Sequence, residues 1–413
     1  MKFEGKPEPK IGIEEFMSIA ERFGFSKKAL KRIRASVCEK NLGKGPNLAR
    51  WATAYPPKTK GDAFEALAKK KFSVKYARGV SSGTGALHSA MAAVGIGPGT
   101  EVIVPAVGFL ATSAVVVTLG AKPVFCDIDD SFQMDPTKIE PLITPRTIAV
   151  APTHWSGGIA DLAPILAIAR KHNLKVIEDC AQAPGGKYRG RYVGSIGDIG
   201  CFSISAYKII GGGEGGMFIT NDERLYDRAA QFAECGGLWR LPGRFAAPRY
   251  KGELFCGSNY RMSELEAAID VVQLRKMDGI VRRFRTNYMR VRSQLKSFQG
   301  LCLEKVNDPA GHVGYSLRLI PESFELGSKI VEAFRAAEIG GWMRGTKAGP
   351  DWHLASEMFP LREHMPLKGV CPVADDIYNR AITISVNQWW TARDCRRLAE
   401  AINKVLSAKC APA

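Results

Sequence analysis

Phe202-Ser203-Ile204-Ser205-Ala206-Tyr207-Lys208-Ile209-Ile210-Gly211-Gly212-Gly213-Glu214-Gly215-Gly216-Met217 decides the reading of this chain. A short apolar run ends in serines, one lysine follows, and five of the next eight residues are glycine. The lysine sits where a strand-like segment hands over to a turn whose backbone can approach a ligand closely. By itself the stretch is equally a solvated lysine beside a plain glycine turn. Stretches upstream separate the two readings.

From Tyr76 to Thr220 strand and helix patterns alternate. Strands are expected at Glu101–Pro105, Pro123–Ile128, Thr147–Thr153, Lys175–Asp179, Gly200–Ser205 and Gly216–Thr220, with helices at Gly85–Val94, Phe109–Leu119 and Leu162–His172. Short β-rich runs alternating with helices predict an α/β fold, a mostly parallel sheet sandwiched by helices. Ligands of such sheets gather at the carboxyl ends of the strands. Asp179, Thr153-His154 and Ser203–Lys208 all fall at or just past such ends.

Working outward, residues 1–60 are basic and punctuated by Pro and Gly, with an amphipathic stretch at Ile13–Phe25 and a Lys/Arg-rich helix expected near Ser26–Val37, and read as an N-terminal arm. Residues 61–279 form the large domain, closing with a long helix over Ser263–Asp278 after a basic loop at Leu238–Lys251. Residues 280–413 form a smaller α+β domain, with strands at Tyr315–Ile320 and Arg380–Val386 and helices at Ser328–Ala337 and Thr391–Leu406. Thr391 and Asp394 have the spacing of a capping box.

The length of 413 residues suits two or three domains with a sizeable core. A net charge of +17 points to an anionic partner. The basic residues are spread along the chain without interleaved aromatics, which favours an anionic small molecule over nucleic acid. The first residues lack a secretory pattern, and the ten cysteines lack CxxC or metal-finger spacing, so reduced thiols in a cytoplasmic protein are expected. Val102 to Ala121 carries no charge, yet Pro105, Gly108, Thr112 and Ser113 break it into strand, loop and short helix rather than a membrane span.

Four features converge. Ser82-Gly83-Thr84-Gly85 opens a helix and offers either an ordinary N-cap or an anion site. Asp179 ends an apolar strand, where a carboxylate needs a cationic or hydrogen-bonding partner or else caps a helix. Phe109 brings an aromatic ring near the same edge, where a core position is the plain alternative. Lys208 is the fourth. An anion cradle, a carboxylate, an aromatic face and a lysine are what pyridoxal 5'-phosphate needs for its phosphate, its ring nitrogen, its ring face and its Schiff base. No metal site is expected.

The chain resembles the DegT/DnrJ/EryC1/StrS aminotransferases, sugar aminotransferases of fold-type I. The resemblance covers roughly residues 60–280 strongly and is carried in order by Ser82-Gly83-Thr84, Val102-Ile103-Val104-Pro105-Ala106, Gly120-Ala121-Lys122-Pro123-Val124-Phe125, Ile143-Thr144-Pro145-Arg146-Thr147, Ile177-Glu178-Asp179-Cys180-Ala181-Gln182, Gly194-Ser195-Ile196-Gly197-Asp198, Gly213-Glu214-Gly215-Gly216-Met217 and Asn259-Tyr260-Arg261-Met262-Ser263-Glu264-Leu265. It implies that Lys208 is the Schiff-base lysine and that Asp179 partners the pyridine nitrogen. Phe109 would stack on the ring, Gln182 would lie near the ring oxygen, and Gly83, Thr84 and Ser203 would hold the phosphate. Asn259 would reach the phosphate of the neighbouring subunit of a homodimer with shared sites. His154-Trp155-Ser156 departs from the family's usual run, and Asp270 stands where a small residue is common.

The resemblance implies transfer of an amino group from glutamate or glutamine to a keto or aldehyde sugar or cyclitol, in glycan, lipopolysaccharide or natural-product biosynthesis. His154, Trp155, Arg240 and Arg344 are the candidate substrate residues, and the Pro350-Asp351-Trp352-His353 stretch resembles members acting on cyclitols or acidic sugars. A dehydratase or lyase of the same fold is the nearest alternative, although a lysine at position 208 favours transamination. A non-catalytic regulator that binds the cofactor and a basic nucleic-acid-binding protein are the others.

Overall fold

The computed structural model describes residues 11–38, 59–237, 256–345, 351–363, 365 and 367–412. The chain divides into two compact units, Met1–Thr59 and Lys60–Ala413. The described part of the first is a pair of helices, α1 (Ile13–Arg22) and α2 (Lys27–Ser36), joined by an ion pair between Glu14 and Arg34. Ile13, Met17 and Ala20 share the buried face of α1, at helical spacing. Ser26 caps α2 by accepting from the Ala29 N–H.

The second unit opens with α3 (Lys60–Phe72), whose first N–H groups, on Lys60 and Gly61, donate to the Glu264 carboxylate 204 and 203 residues away. There follow β1 (Tyr76–Val80), α4 (Gly83–Val94), β2 (Glu101–Pro105), α5 (Ala111–Thr118), β3 (Lys122–Cys126), β4 (Thr147–Val150), α6 (Leu162–Lys171) and β5 (Lys175–Asp179). A small hairpin of β6 (Lys187–Tyr188) and β7 (Arg191–Tyr192) precedes β8 (Ile199–Ser203), β9 (Gly216–Thr220) and α7 (Glu223–Phe232). The seven-stranded sheet has the order β1-β9-β8-β5-β4-β2-β3, parallel from β8 through β3, with β9 antiparallel to both neighbours. Every residue of β2, β8 and β9 is buried, as a sheet covered on both faces requires. Parallel pairing puts the carboxyl ends of β2, β5 and β8 on one edge, and the reversed β9 starts there.

Three of the expected strands have the observed bounds, and β4 stops at Val150 instead of Thr153. Neither α3 nor β1 was separated as an element in the sequence. Arg78 in the middle of β1 is buried only because Glu234 and Glu65 neutralise it.

The long helix α8 (Glu264–Arg292) starts with the capping box of Ser263 and Glu266 and runs 29 residues, well beyond the expected end at Asp278. Gly279 does not stop it. A glycine inside a helix costs about 1 kcal/mol, and the turns after it bury Ile280, Val281, Tyr288 and Val291. The remainder comprises β10 (Leu301–Leu303), β11 (Ser316–Pro321), α9 (Phe324–Ala336), β12 (Trp342–Met343), α10 (Phe359–Arg362), α11 (Pro372–Arg380), β13 (Ile382–Ser385) and α12 (Ala392–Ser407). Its four strands form an antiparallel sheet in the order β10-β11-β13-β12. Tyr288, Leu317, Phe334, Ile382 and Ile402 belong to its separate apolar core. Thr391 and Asp394 make the expected capping box. No helix among the described residues is long and apolar enough to cross a membrane.

Candidate active site

Neighbouring acids at the end of β5 point to opposite faces of the sheet, as strand alternation dictates. Asp179 is buried; its Oδ1 accepts from the Ala181 N–H at 3.0 Å and its Oδ2 from the Thr112 hydroxyl at 2.5 Å. It caps no helix. Glu178 accepts from the N–H groups of Gly194, Ile196 and Gly197 and from His154 Nε2 at 3.2 Å. Burial alone would raise the Glu178 carboxyl, but the hydrogen bonds from His154, Gly194 and Gly197 outweigh it and hold it below the usual carboxylate range.

His154 is a correction to the sequence reading. It is wholly buried, and its Nδ1 accepts from the Ala160 N–H at 3.1 Å. These partners assign the ring proton to Nε2, where it is donated to Glu178. Neither ring nitrogen is left for a substrate. The same occupancy leaves the cluster of His154, Glu178 and Cys180 without a free nitrogen for a metal.

Past β8 the chain folds back on itself. The N–H groups of Ile204, Ala206 and Gly212 donate to Gly215, Gly213 and Ile204 carbonyls, each at 2.8 Å, which ties the glycine turn to the segment bearing Lys208. Gly213 at φ +117° and Gly215 at φ +140° adopt backbone that side chains disfavour. Lys208 Nζ lies 5.8 Å from the centroid of Phe109. Burial pulls the Lys208 amine below its ordinary value, and the charge of Asp179 opposes this. Phe109 is 42% exposed, so it is not a core residue.

The loop that carries Phe109 is held by the far end of the chain. Gly108 and Leu110 donate to the carbonyls of His353 and Trp352, at 2.9 and 2.8 Å. His353 stands 5.7 Å from the Phe109 ring, and burial, assisted by the Lys208 charge, lowers its pKa against the opposing pull of Asp351.

At the start of α4, Ser82 accepts from Gly85 N–H at 3.0 Å, so it does cap the helix. Gly83 and Thr84 supply the first N–H groups of the helix, the kind that lack partners within it. Gly83 packs so tightly on Ser203 that a Cβ there would lie 2.6 Å from the Ser203 Cβ. Gln182 Oε1 accepts from the Ser156 N–H at 2.9 Å, which turns its NH₂ group to the other side. Gln182, Tyr207, Lys208, Tyr315, His353 and Gln388 are among the residues lining a cavity of about 430 Å³.

Other sequence candidates lie elsewhere. Trp155 is 7% exposed and sits behind His353, with Arg318 stacked on it at 4.3 Å. Arg344 is paired with Asp351 and Glu357 rather than free, and Asp351 in turn accepts from the N–H of His353. Asn259 is exposed, its Oδ1 accepting from Arg261 N–H. Arg240 and the rest of the loop at 238–251 lie outside the described residues. Sequence reasoning missed Thr112 and His353. The stretch around His353 stood out, but nothing in it signalled proximity to Lys208.

The residues present fit pyridoxal 5'-phosphate. A helix start packed on a serine hydroxyl suits a phosphate, and a buried carboxylate fixed by two donors suits a protonated ring nitrogen. A half-exposed aromatic face and a desolvated lysine complete the set. With the mostly parallel sheet and its smaller companion, these features define the fold-type I architecture of pyridoxal-phosphate-dependent proteins. The chain belongs to the DegT/DnrJ/EryC1/StrS aminotransferase family, whose model matches residues 49–403.

Among its relatives is GDP-perosamine synthase of Caulobacter vibrioides, 48% identical over 206 residues, a match that covers 50% of this chain and 53% of that protein. Another is GDP-perosamine synthase of Escherichia coli O157:H7, 43% identical over 51% of this chain and 56% of that one. The chain thus spans about half the length of these curated relatives. The solved aminotransferase from Psychrobacter cryohalolentis is similar in structure, with TM-score 0.74 and 28% identity over 93% of this chain and 98% of that one.

Proposed function

We propose that the chain is a pyridoxal-phosphate-dependent aminotransferase that moves an amino group from glutamate or glutamine to a keto or aldehyde sugar or cyclitol. The observation that carries this reading is Lys208, a desolvated amine held beside Phe109 and Asp179 at the mouth of a cavity. The sugar or cyclitol class is supported by the relatives' names.

The bound cofactor supplies an electron sink for the amino acid carbon that gives up its proton. Gly83, Thr84 and Ser203 hold its phosphate. Asp179, oriented by Thr112 and Ala181, would face the ring nitrogen. Gln182 offers its NH₂ group to the ring oxygen. Lys208 would hold the cofactor covalently and would take and return a proton at Nζ. That task needs a neutral amine, which burial favours. His353 forms the wall that the sugar meets.

A homodimer belongs to the same proposal. Tyr207 is wholly exposed beside Lys208, and Leu265, Ile269 and Val272 share an exposed apolar face of α8 that a second copy would cover. Asn259 would then reach the phosphate of the neighbouring site. Cys126, Cys180, Cys201, Cys371 and Cys395 are buried thiols outside any disulfide, which supports a cytoplasmic location.

The test is a visible spectrum of the holoenzyme before and after L-glutamate or L-glutamine, with Lys208→Ala alongside. A cofactor band that bleaches with the donor, and is altered in the variant, is expected. Bound cofactor that ignores both donors would move the reading to a dehydratase, and a protein that takes up no cofactor would overturn it.

A further inference from the structure

Where α8 passes beneath the glycine turn, two carboxyl groups have buried oxygens with nothing to bind. Asp270 is fully buried, and neither of its oxygens has a hydrogen-bond partner among the described residues. One helical turn earlier, Glu266 uses Oε2 to accept from the Ser263 N–H, while its Oε1 is buried and unpartnered. These oxygens abut the turn that follows Lys208. A Cβ at Gly212 would stand 1.7 Å from Asp270 Oδ1; one at Gly215 would stand 2.5 Å from Asp270 Oδ2 and 3.0 Å from Glu266 Oε1. Both Asp270 oxygens therefore rest against glycine backbone with no donor to satisfy them. Almost no accessible surface remains on either for a hydrated ion. An ionised carboxylate there would lose its hydration without compensation, which favours the neutral acid.

We propose that Asp270 works as a neutral carboxylic acid and is a positioning residue that keeps the glycine turn closed on the Lys208 segment. The consequence for the reaction rests on the aminotransferase reading; the protonation does not. The turn is bonded to the Lys208 segment through Ile204, Ala206 and Gly212, and Gly215 also pairs with Ser82 at the phosphate cradle. A second negative charge beneath the turn would disturb both at once. Glu266 is the ionisable side chain that bears on Asp270, and Glu214, in the turn itself, bears on Glu266. Burial, then Glu266, pushes Asp270 up to about 8. Burial pushes Glu266 up to about 7, the Ser263 N–H opposes it, and Glu214 adds to the rise. Both pKa values are raised above their unfolded values. The stability linked to these protons is thus fully present below the ordinary carboxylate range and is lost as pH rises towards about 8.

The test uses the full chain without added cofactor. Infrared difference spectra should show a protonated carboxyl band that fades between pH 6.5 and 9, and the part of it that persists above about pH 7 should be missing in Asp270→Asn. Amide hydrogen exchange of residues 204–216, corrected for its intrinsic pH dependence, should rise about tenfold from pH 7 to 9, because each pH unit past a midpoint changes the protonated population tenfold. Asp270→Asn should flatten that rise, and Glu266→Gln should move its midpoint to lower pH by removing the repelling charge. A wild-type protein without the band, or with exchange that follows the same profile as Asp270→Asn, would overturn the proposal. So would a melting temperature raised by potassium or magnesium chloride in wild type and not in Asp270→Asn, since the site would then hold a cation. None of these readouts needs turnover, so their failure leaves the aminotransferase reading intact, and an unresponsive donor spectrum leaves the Asp270 proton intact.

Discussion

Thr112→Val removes one hydroxyl from the buried contact that orients Asp179. Valine keeps the shape of threonine, so the change deletes the 2.5 Å hydrogen bond to Asp179 Oδ2 while leaving the packing of α5 in place. A hydrogen bond to a charged group contributes about 1.5–3 kcal/mol. It exists without any ligand, so the loss divides between the stability of the cofactor-free chain and its affinity for the cofactor. The two losses should sum to about 1.5–3 kcal/mol; if all of it fell on affinity, binding would weaken about 10- to 100-fold. Urea unfolding of the cofactor-free protein measures the first part, and absorbance titration with pyridoxal 5'-phosphate measures the second. Thr112→Ser, which restores the hydroxyl, should recover most of both. If neither quantity moved by more than about 0.5 kcal/mol, the range of an ordinary surface substitution, Asp179 would not depend on Thr112 and the site geometry argued above would be wrong.

Two further outcomes follow from the same residues. Burial lowers the Lys208 pKa, so the amine is neutral in the folded chain and charged in the unfolded one over that window. Its stability deficit is therefore largest below the folded pKa and closes as pH rises towards the ordinary lysine range. Lys208→Met should melt above wild type at pH 7, with the gap shrinking towards about pH 10; a gap that widened with pH would reverse the assignment. Gly83→Ala places a methyl group 2.6 Å from the Ser203 Cβ and must push the cradle apart. Overpacking of this kind costs about 1–3 kcal/mol, so cofactor affinity should fall about tenfold or more, and unchanged affinity would separate the cradle from the phosphate.

The alternation of apolar runs with turn residues was enough to locate β2, β5 and β9 and to place Lys208 and Asp179 on one edge of a parallel sheet, because strand ends and glycine turns are local properties. Three limits of that reading share a cause. Arg78 hides β1, since a buried arginine makes sense only beside Glu65 and Glu234. The length of α8 depends on residues it buries after Gly279. The start of α3 depends on Glu264.

By itself the sequence determined the fold class, the family resemblance and the lysine, carboxylate, aromatic ring and glycine cradle of the site. Only the tertiary structure decided what each side chain touches and therefore which charge it carries. It turned His154 inward to Glu178, bound Arg344 to Asp351, brought His353 from 145 positions downstream to within reach of Lys208, and left Asp270 without a hydrogen-bond partner among the described residues. The reason is that backbone preference is written within a few neighbouring residues. Desolvation and hydrogen-bond partners are set by segments that meet only when the chain has folded.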